Sequence, residues 1–547
     1  MAPLRLAFLT ATMMTGPKKA VETRLSKNVR ADDDRMPSAA AVTIKPMESS
    51  SGKENVANEA TPSLAASTAS MSSSASASTS VHIDSTPSKK GGGSSPIHFC
   101  FIVHGHQGKP TDLSYLHRAI KDKANQHGGF ATTKSSEMCI VGRNSSSRND
   151  DMAAGRNDGN RANQEEDINQ ASVEGITKGE SNGSTVVVHN AACNEGITHD
   201  GVEKGGERLA NEMLEVIRGE IEQRTQNHEQ DVTISIVGNS LGGLYARFAV
   251  AKIDELLFAS DEDGTKDVPH YILDDNIRLH FNVFCSTVCP HLGCADRTYI
   301  PIPRFAEIGI AKGLGETGRD LFRVNDLVKT MATSPRFTRP LALFRKRIAY
   351  ANAYGTDFVV PGSTAAFLDN NSDSMHYFDA DFESGRDEET QSMPQTADRV
   401  CPASEKGLFV ATCYTPRISL GNLVESSGNE LEVMSKTLDS LGWTKVFVDI
   451  REAIPISTKL PRISNPSLNA CPVRKLSSNR KAVTSKDLYS AISSGKSSRI
   501  SLPFGHNAIC AFERGSFRTA FNKGGRPVAD SLAINLVEDI SMWTQND

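Results

Sequence analysis

Residues 232–253 place a strand-like run, a serine between glycines and a helix-like run one after another. The mostly apolar run 234–237 has the length and composition of a buried strand, and apolar residues recur at helical spacing at Leu244 and Phe248. The intervening turn reads Gly-Asn-Ser-Leu-Gly-Gly, with Ser240 as its serine. A turn this sharp leaves room only for small residues, and it lifts the serine hydroxyl clear of the backbone. The segment therefore predicts a nucleophile elbow with Ser240 at its tip, against the alternative of an ordinary glycine-rich turn.

A second glycine turn follows the strand that is predicted at residues 97–103. The strand ends in the sequence His-Gly-His-Gln-Gly, and a helix is predicted to begin at Thr111. A strand that ends in His-Gly-x-x-Gly before a helix often supplies a backbone N–H group to an oxyanion, and its glycines let the backbone approach the reacting carbonyl. The backbone N–H groups of His106 and Leu241 are therefore the predicted oxyanion donors. The alternative is a turn that carries an ordinary histidine.

The same alternation of strand and helix continues along the chain. Further strands are predicted at residues 185–189, 279–285, 347–353, 408–414 and 443–450, and further helices at 202–221, 431–441 and 528–543. Buried-type strands that alternate with helices predict an α/β fold, with a mostly parallel sheet and helices on both faces. Residues 296–345 are rich in helical periodicity and lie between two predicted strands, where a helical cap over the site is expected.

Composition divides the 547 residues into a folded part and polar segments. Residues 1–95 are predicted to be a disordered, Ser-rich N-terminal region. Its first 30 residues carry six basic side chains and one acidic one, which fits an organelle transit peptide as well as a disordered tail. Residues 96–547 are predicted to form one enzyme domain with polar insertions near 127–183 and 368–400.

Net charge and cysteine content indicate which classes of partner and which cellular compartment to expect. The net charge of −5 does not favour a nucleic-acid partner. No apolar run reaches the about 18–20 residues of a membrane span, so any membrane contact is expected to be peripheral. Several of the ten cysteines lie in strand-like apolar runs, so we expect reduced thiols in a soluble intracellular protein, cytoplasmic or organellar. Cys289, His291 and Cys294 match no paired-ligand spacing, so no metal or cofactor is predicted. The oligomeric state is left open.

Six segments share their residues with one known family. They are His-Gly at 104–105, Gly-Ile-Thr-His-Asp-Gly at 196–201, Gly-Asn-Ser-Leu-Gly-Gly at 238–243, Pro-His-Leu-Gly at 290–293, Thr-Gly-Arg-Asp-Leu-Phe at 317–322, and 344–361. Together they resemble the lipase-like putative serine esterase family of the α/β-hydrolase superfamily over residues 97–367, with weaker similarity over 431–511. The resemblance implies an α/β-hydrolase fold and acyl-ester hydrolysis, with glycerolipids as the substrates of some members. Asn239 departs from the family, which usually has histidine there, and this departure bears on substrate detail.

In this superfamily the nucleophile, the acid and the base follow one another in that order along the chain. Ser240 is the predicted nucleophile, and Asp357, just beyond the strand that follows the cap, is the predicted acid; its alternative is a turn-capping role. His506 is the predicted base, on a loop after the last strand, and its alternative is a solvated polar residue. Asp296 and Asp326 compete as acids but lie in the expected cap. His291 comes too early in the chain to be the base, and we expect it to support the site structurally.

These residues together predict a serine hydrolase that cleaves carboxylic esters through a Ser-Asp-His triad and an acyl-enzyme. The expected substrate is a small or lipid-like ester, such as an acylglycerol or a phospholipid acyl ester, as the resemblance implies. A thioesterase or an acyltransferase would use the same triad. A non-catalytic binding module of the same fold is the alternative from another class.

Overall fold

The computed structural model describes residues 95–127, 130–132, 184–224, 230–258, 271–274, 276–298, 302–354, 357, 360–378, 408–418, 428–451, 453, 471–494 and 505–546. The predicted N-terminal region before residue 95, most of the insertion 127–183 and residues 379–400 lie outside the described residues. The interpretations of those segments stay predictions.

The described strands form one eleven-stranded sheet. They are β1 (Ile97–Val103), β2 (Phe130–Thr132), β3 (Ser184–Asn190), β4 (Gln230–Asn239), β5 (Tyr271–Leu273), β6 (Ile277–Thr287), β7 (Lys346–Asn352), β8 (Met375–Phe378), β9 (Phe409–Tyr414), β10 (Thr444–Val448) and β11 (Ala482–Thr484). Their spatial order is β11-β8-β9-β10-β7-β6-β4-β1-β3-β2, and β5 pairs with β6. Strand β4, which carries the predicted elbow at its end, thus lies in the interior of the sheet, between β1 and β6.

Most of the sheet is parallel. The pairs from β2 through β3, β1, β4, β6 and β7 to β10 are all parallel, and in their register Phe99 of β1 lies opposite both Val187 and Ile234. Strands β9, β8 and β11 extend the β10 side by antiparallel pairing. The prediction of an α/β fold with a mostly parallel sheet is confirmed. The carboxyl ends of its parallel strands meet at one edge, where loops can bring distant residues together.

Helices connect these strands. They are α1 (Ser114–Gln126), α2 (Val202–Glu222), α3 (Leu241–Phe258), α4 (Arg304–Gly313), α5 (Gly315–Leu321), α6 (Leu327–Thr333), α7 (Pro335–Ala342), α8 (Gly362–Ala365), α9 (Glu430–Asp439), α10 (Pro472–Asn479), α11 (Ser485–Ser494), α12 (Gly505–Ala508), α13 (Gly515–Asn522) and α14 (Arg526–Asn546), with 3₁₀ turns at Pro110–Leu113 and Lys523–Gly525. None of the helices within the described residues combines the length and the apolar character needed to cross a membrane.

The core lies on both faces of the sheet because the parallel strands are apolar on both faces. On β1, Phe99 and Phe101 pack with residues of α2 and α3, whereas Cys100 and Ile102 pack on the opposite face with residues of α1 and α14. A third cluster lies at the β9–β10 end, around Phe447. Apolar packing in these three clusters fixes the positions of the central strands. The residues at the ends of those strands are positioned by the same packing.

Two segments predicted to be polar insertions contain regular structure. Strand β2 lies within 127–183 and β8 lies within 368–400, and β11 is a further short strand that the sequence does not predict. These strands have only three or four residues each. So short a run shows too little alternation to be recognised, and pairing with a neighbouring strand decides its conformation.

Candidate active site

Ser240 stands alone between β4 and α3, in a strained conformation. Its φ angle is +55°, in the left-handed region that non-glycine residues rarely occupy. The nearby glycines are required because a Cβ at Gly242 would lie 2.3 Å from the carbonyl oxygen of Val103, and a Cβ at Gly238 would lie 2.5 Å from the Cα of Gly243. The turn has the close backbone approach that the sequence predicts for an elbow.

The end of β6 holds the elbow from the other side. The backbone N–H of Ser240 donates to the carbonyl oxygen of Thr287 at 2.9 Å, and the Thr287 hydroxyl donates to Oδ1 of Asn239 at 2.8 Å. Asn239, which departs from the family pattern, is thus bonded to the end of the neighbouring strand, and it is also buried. Its side chain is engaged away from the Ser240 hydroxyl.

A chain of hydrogen bonds joins the three residues that the sequence predicts for the triad. The Ser240 hydroxyl lies 2.9 Å from Nε2 of His506, and Nδ1 of His506 lies 2.8 Å from Oδ2 of Asp357. All three residues are buried. The distances fit the tautomer in which Nδ1 carries the proton and donates to the carboxylate. His506 lies in the one-turn helix α12 rather than in the loop that was predicted, because the turn 505–508 closes a helical hydrogen bond from Ile509 to Gly505.

Further bonds orient the Asp357 carboxylate. Its Oδ1 accepts the backbone N–H of Val360 at 2.8 Å, and the amide of Asn352, the last residue of β7, lies 3.4 Å from Oδ2. The two competing acids lie elsewhere. The Asp296 side chain is 62% exposed and pairs with an arginine, and Asp326 is exposed before α6. Of the three candidate acids, only Asp357 lies within hydrogen-bonding distance of His506 in the described structure.

The loop after β1 packs directly on the elbow. A Cβ at Gly105 would lie 2.7 Å from the Cβ of Ser240 and 3.2 Å from its Oγ, so only glycine fits. Residues 105–108 form a turn closed by a bond from the N–H of Gly108 to the carbonyl of Gly105 at 3.0 Å. The backbone N–H groups of His106 and Leu241 make no hydrogen bond to another described group. Their place beside Ser240 is compatible with the predicted donation to an oxyanion, which stays a prediction.

The imidazole ring of His106 has a pKa below the usual value. Burial, and then the nearby His199, lower the pKa of His106 to about 4, and the two ring centroids are 4.8 Å apart. The predicted role of His106 uses its backbone, so a neutral ring adds no competing charge beside Ser240.

His291 lies in the core beside the elbow. The Ser286 hydroxyl lies 2.9 Å from its Nε2, and burial together with the charge of Arg247 holds the pKa of His291 well below its usual value. The ring contacts Phe367 and Trp443 edge-on. This environment fits the structural role expected for it. Among the described residues, no group of three or more His, Cys, Asp or Glu side chains is arranged to hold a metal ion.

The comparison with protein families adds independent support. Residues 157–368 match the family described as Putative serine esterase (DUF676). The match covers less than half of the chain, so the similarity to that serine esterase family is shown for residues 157–368. The resemblance seen in the sequence is thereby confirmed, and the match supports a serine hydrolase. The serine esterase region contains Ser240 and Asp357, whereas His506 lies beyond its end. No curated protein matches the chain.

The sequence analysis assigned no role to one residue of the loop after β1 and to two residues that contact it. They are Gln107, which belongs to the loop itself, Thr198, whose hydroxyl accepts the Gln107 N–H, and Arg514, which donates to the Gln107 carbonyl. Thr198 stands in one of the segments that carry the family resemblance, which was the available signal. Arg514 stands in no motif, so the sequence offers no signal for it.

Proposed function

We propose that this chain is a serine hydrolase that cleaves carboxylic esters through an acyl-enzyme, with Ser240 as nucleophile, His506 as general base and Asp357 as the acid that orients it. The observation that carries the proposal is the hydrogen-bonded chain from Asp357 through His506 to a serine with a φ angle of +55° at a strand–helix turn. The same arrangement, on a mostly parallel sheet, supports an α/β-hydrolase fold.

The chemistry follows from the positions of the protons. The Ser240 hydroxyl is a weak nucleophile until Nε2 of His506 removes its proton during attack on the ester carbonyl. Asp357 holds Nδ1–H and stabilises the imidazolium that forms, and it stays ionised throughout. His506 then protonates the leaving alcohol. Water repeats the cycle on the acyl-enzyme and releases the carboxylic acid.

The tetrahedral intermediate needs donors for its negative oxygen. We assign this role to the backbone N–H groups of His106 and Leu241, each worth about 3 kcal/mol of transition-state stabilisation. Leu241 is the first residue of α3, so its N–H has no intrahelical acceptor and the positive end of the helix dipole faces the same place.

A lipid-like ester is the proposed substrate, and helices α4–α7 are the proposed cap. Apolar side chains on the surface of α4 support this choice, since Phe305 is 79% exposed and Ile310 is 40% exposed. Exposed apolar residues of this size often mark surfaces that meet another apolar phase. The hydroxyl of Thr317 in α5 also donates to the carbonyl of Thr198, which links the proposed cap to the loop region beside the site.

A fluorophosphonate probe tests the proposed function. It reacts with an activated serine, so the wild-type protein should be labelled and Ser240→Ala should not. Ser235→Ala is the matched control, since Ser235 is buried on β4, the strand that leads to Ser240, and its hydroxyl has no partner among the described groups. Labelling that persists in Ser240→Ala excludes Ser240 as nucleophile, and a wild-type protein that is not labelled favours a non-catalytic binding module.

Turnover on matched esters and thioesters then tests the reaction class. Acylglycerol and phospholipid acyl esters should be hydrolysed, with release of the free fatty acid. Preferential turnover of thioesters, or transfer of the acyl group to an added alcohol without release of the acid, would replace ester hydrolysis with one of the related reactions.

A further inference from the structure

Gln107 adopts a conformation that its residue type disfavours. Its φ angle is +52°, in the left-handed region, and it occupies the third position of the turn 105–108 directly beside Ser240. Without an external constraint, a residue with a Cβ would leave this region for one with negative φ. Such strained residues persist only where the surroundings over-determine them.

Thr198 holds the Gln107 N–H. Its hydroxyl oxygen accepts that group at 2.9 Å, although the two residues are 91 positions apart in the chain. Thr198 is itself fixed, because its carbonyl accepts the Thr317 hydroxyl at 2.7 Å and the Tyr245 hydroxyl at 3.3 Å. It is also buried, so water does not compete for its hydroxyl. Thr198 is thus a rigid acceptor for one peptide unit of the turn.

Arg514 holds the carbonyl of the same residue. One guanidinium nitrogen donates to the Gln107 carbonyl at 2.9 Å, and Nε donates to the Asp112 carboxylate at 2.8 Å. The Asp112 side chain is 1% exposed and also accepts the backbone N–H of Lys109 at 2.7 Å. The guanidinium is therefore fixed by a buried carboxylate, and it reaches the loop from the segment that follows His506.

We propose that Thr198 and Arg514 are positioning residues that hold Gln107 in its left-handed conformation and thereby aim the His106 N–H at the oxyanion. This inference rests on the proposed function. Thr198 bonds to the peptide unit before Gln107 and Arg514 bonds to the peptide unit after it. While both hydrogen bonds remain, Gln107 cannot leave the left-handed conformation. His106 directly precedes Gln107 in the same turn. A change of the Gln107 φ angle to a negative value would therefore rotate the backbone N–H of His106 away from the space above Ser240.

Thr198→Val tests the first arm, since valine has nearly the shape of threonine and cannot accept the Gln107 N–H. We expect kcat for p-nitrophenyl acetate to fall about 10- to 100-fold while KM changes less than about threefold, because the lost geometry acts on the transition state. Thr198→Ser keeps the hydroxyl and should restore kcat to within about threefold of wild type. Thr415→Val is the matched control, since Thr415 is a buried threonine just beyond β9 whose hydroxyl accepts the backbone N–H of Trp443, and it should leave kcat unchanged.

A second substitution separates positioning from general damage to the fold. Glycine adopts positive φ without strain, so Gln107→Gly in the Thr198→Val background should recover at least about threefold in kcat. A merely structural role would instead lower the melting temperature and leave the double variant no faster than the single one. If Thr198→Val does not fold, Arg514→Lys tests the other arm, because lysine can pair with Asp112 but lacks the fork that also reaches Gln107. It should lower kcat without raising KM.

The outcomes distinguish this inference from the proposed function. If the fluorophosphonate labels wild type but not Ser240→Ala, and Thr198→Val keeps the wild-type kcat, the positioning role is wrong while the hydrolase stands. If the wild-type protein is not labelled, both fall. Loss of kcat in Thr198→Val, with recovery by serine and by Gln107→Gly, supports the positioning role.

Discussion

Glu212 offers a test of how the region beside the site responds to pH. Burial by itself raises the pKa of this carboxyl, but hydrogen bonds from the His189 side chain and from the backbone of Ala192 and Cys193 outweigh it and lower the pKa from 4.5 to about 2. The bonds are short, at 2.9 Å from His189 and from Ala192 and 3.0 Å from Cys193. Glu212 of α2 thus anchors Ala192 and Cys193, which begin the loop that leads to Thr198.

The magnitude follows from this pKa difference. Each pKa unit corresponds to about 1.36 kcal/mol, so a fall from 4.5 to about 2 represents about 3 kcal/mol of stability. A folded-state pKa below the unfolded value means that the contribution is complete above the unfolded pKa of 4.5 and is lost as the pH falls towards 2. The side chain is only 10% exposed, so solvent screening reduces this figure little.

Urea unfolding of wild type and Glu212→Gln at several pH values measures the effect. The free energy of unfolding of the variant should be lower than that of wild type by about 3 kcal/mol near pH 7, and the difference should shrink as the pH falls from about 4.5 to about 3. Glu203→Gln, which changes an exposed acid in the first turn of the same helix, is the control and should differ little from wild type at any pH. A difference between wild type and Glu212→Gln that is the same at every pH would refute the reasoning.

Two further substitutions test the site and the elbow. Asp357→Asn should lower kcat about 10⁴-fold with little change in KM, because the amide favours the wrong imidazole tautomer; ester hydrolysis measures this, and a loss below about tenfold would remove Asp357 from the proposed role. Gly242→Ala should lower both the melting temperature and kcat, since its Cβ would lie 2.3 Å from a backbone carbonyl oxygen of β1. Gly219→Ala in α2 is the matched control, because a Cβ there meets nothing within 4 Å, and it should stabilise the protein by about 0.5–1 kcal/mol. Equal melting temperatures for the two alanine variants would contradict the packing argument.

Local sequence pattern determined much of the fold. Each central strand and long helix is encoded by the spacing of apolar residues within its own length, as in the run before Ser240 and the helix after it. The small residues of the elbow are also local, because Gly238, Gly242 and Ser240 lie within one turn of chain. Chain order, which the family resemblance supplied, then singled out Asp357 and His506. The structure brings these two side chains into contact with each other, and His506 into contact with Ser240.

Tertiary structure alone decided the features that depend on distant partners. The short strands β8 and β11 form because they pair with each other and because β8 also pairs with β9. Three or four residues carry too little periodicity to predict a strand. The left-handed conformation of Gln107 depends on Thr198 and Arg514, which are 91 and 407 positions away in the chain. A hydrogen bond across such separations leaves no local pattern in sequence, since either partner taken alone is an ordinary polar residue. Only the packed sheet, which brings the strand ends together at one edge, determines where these bonds form.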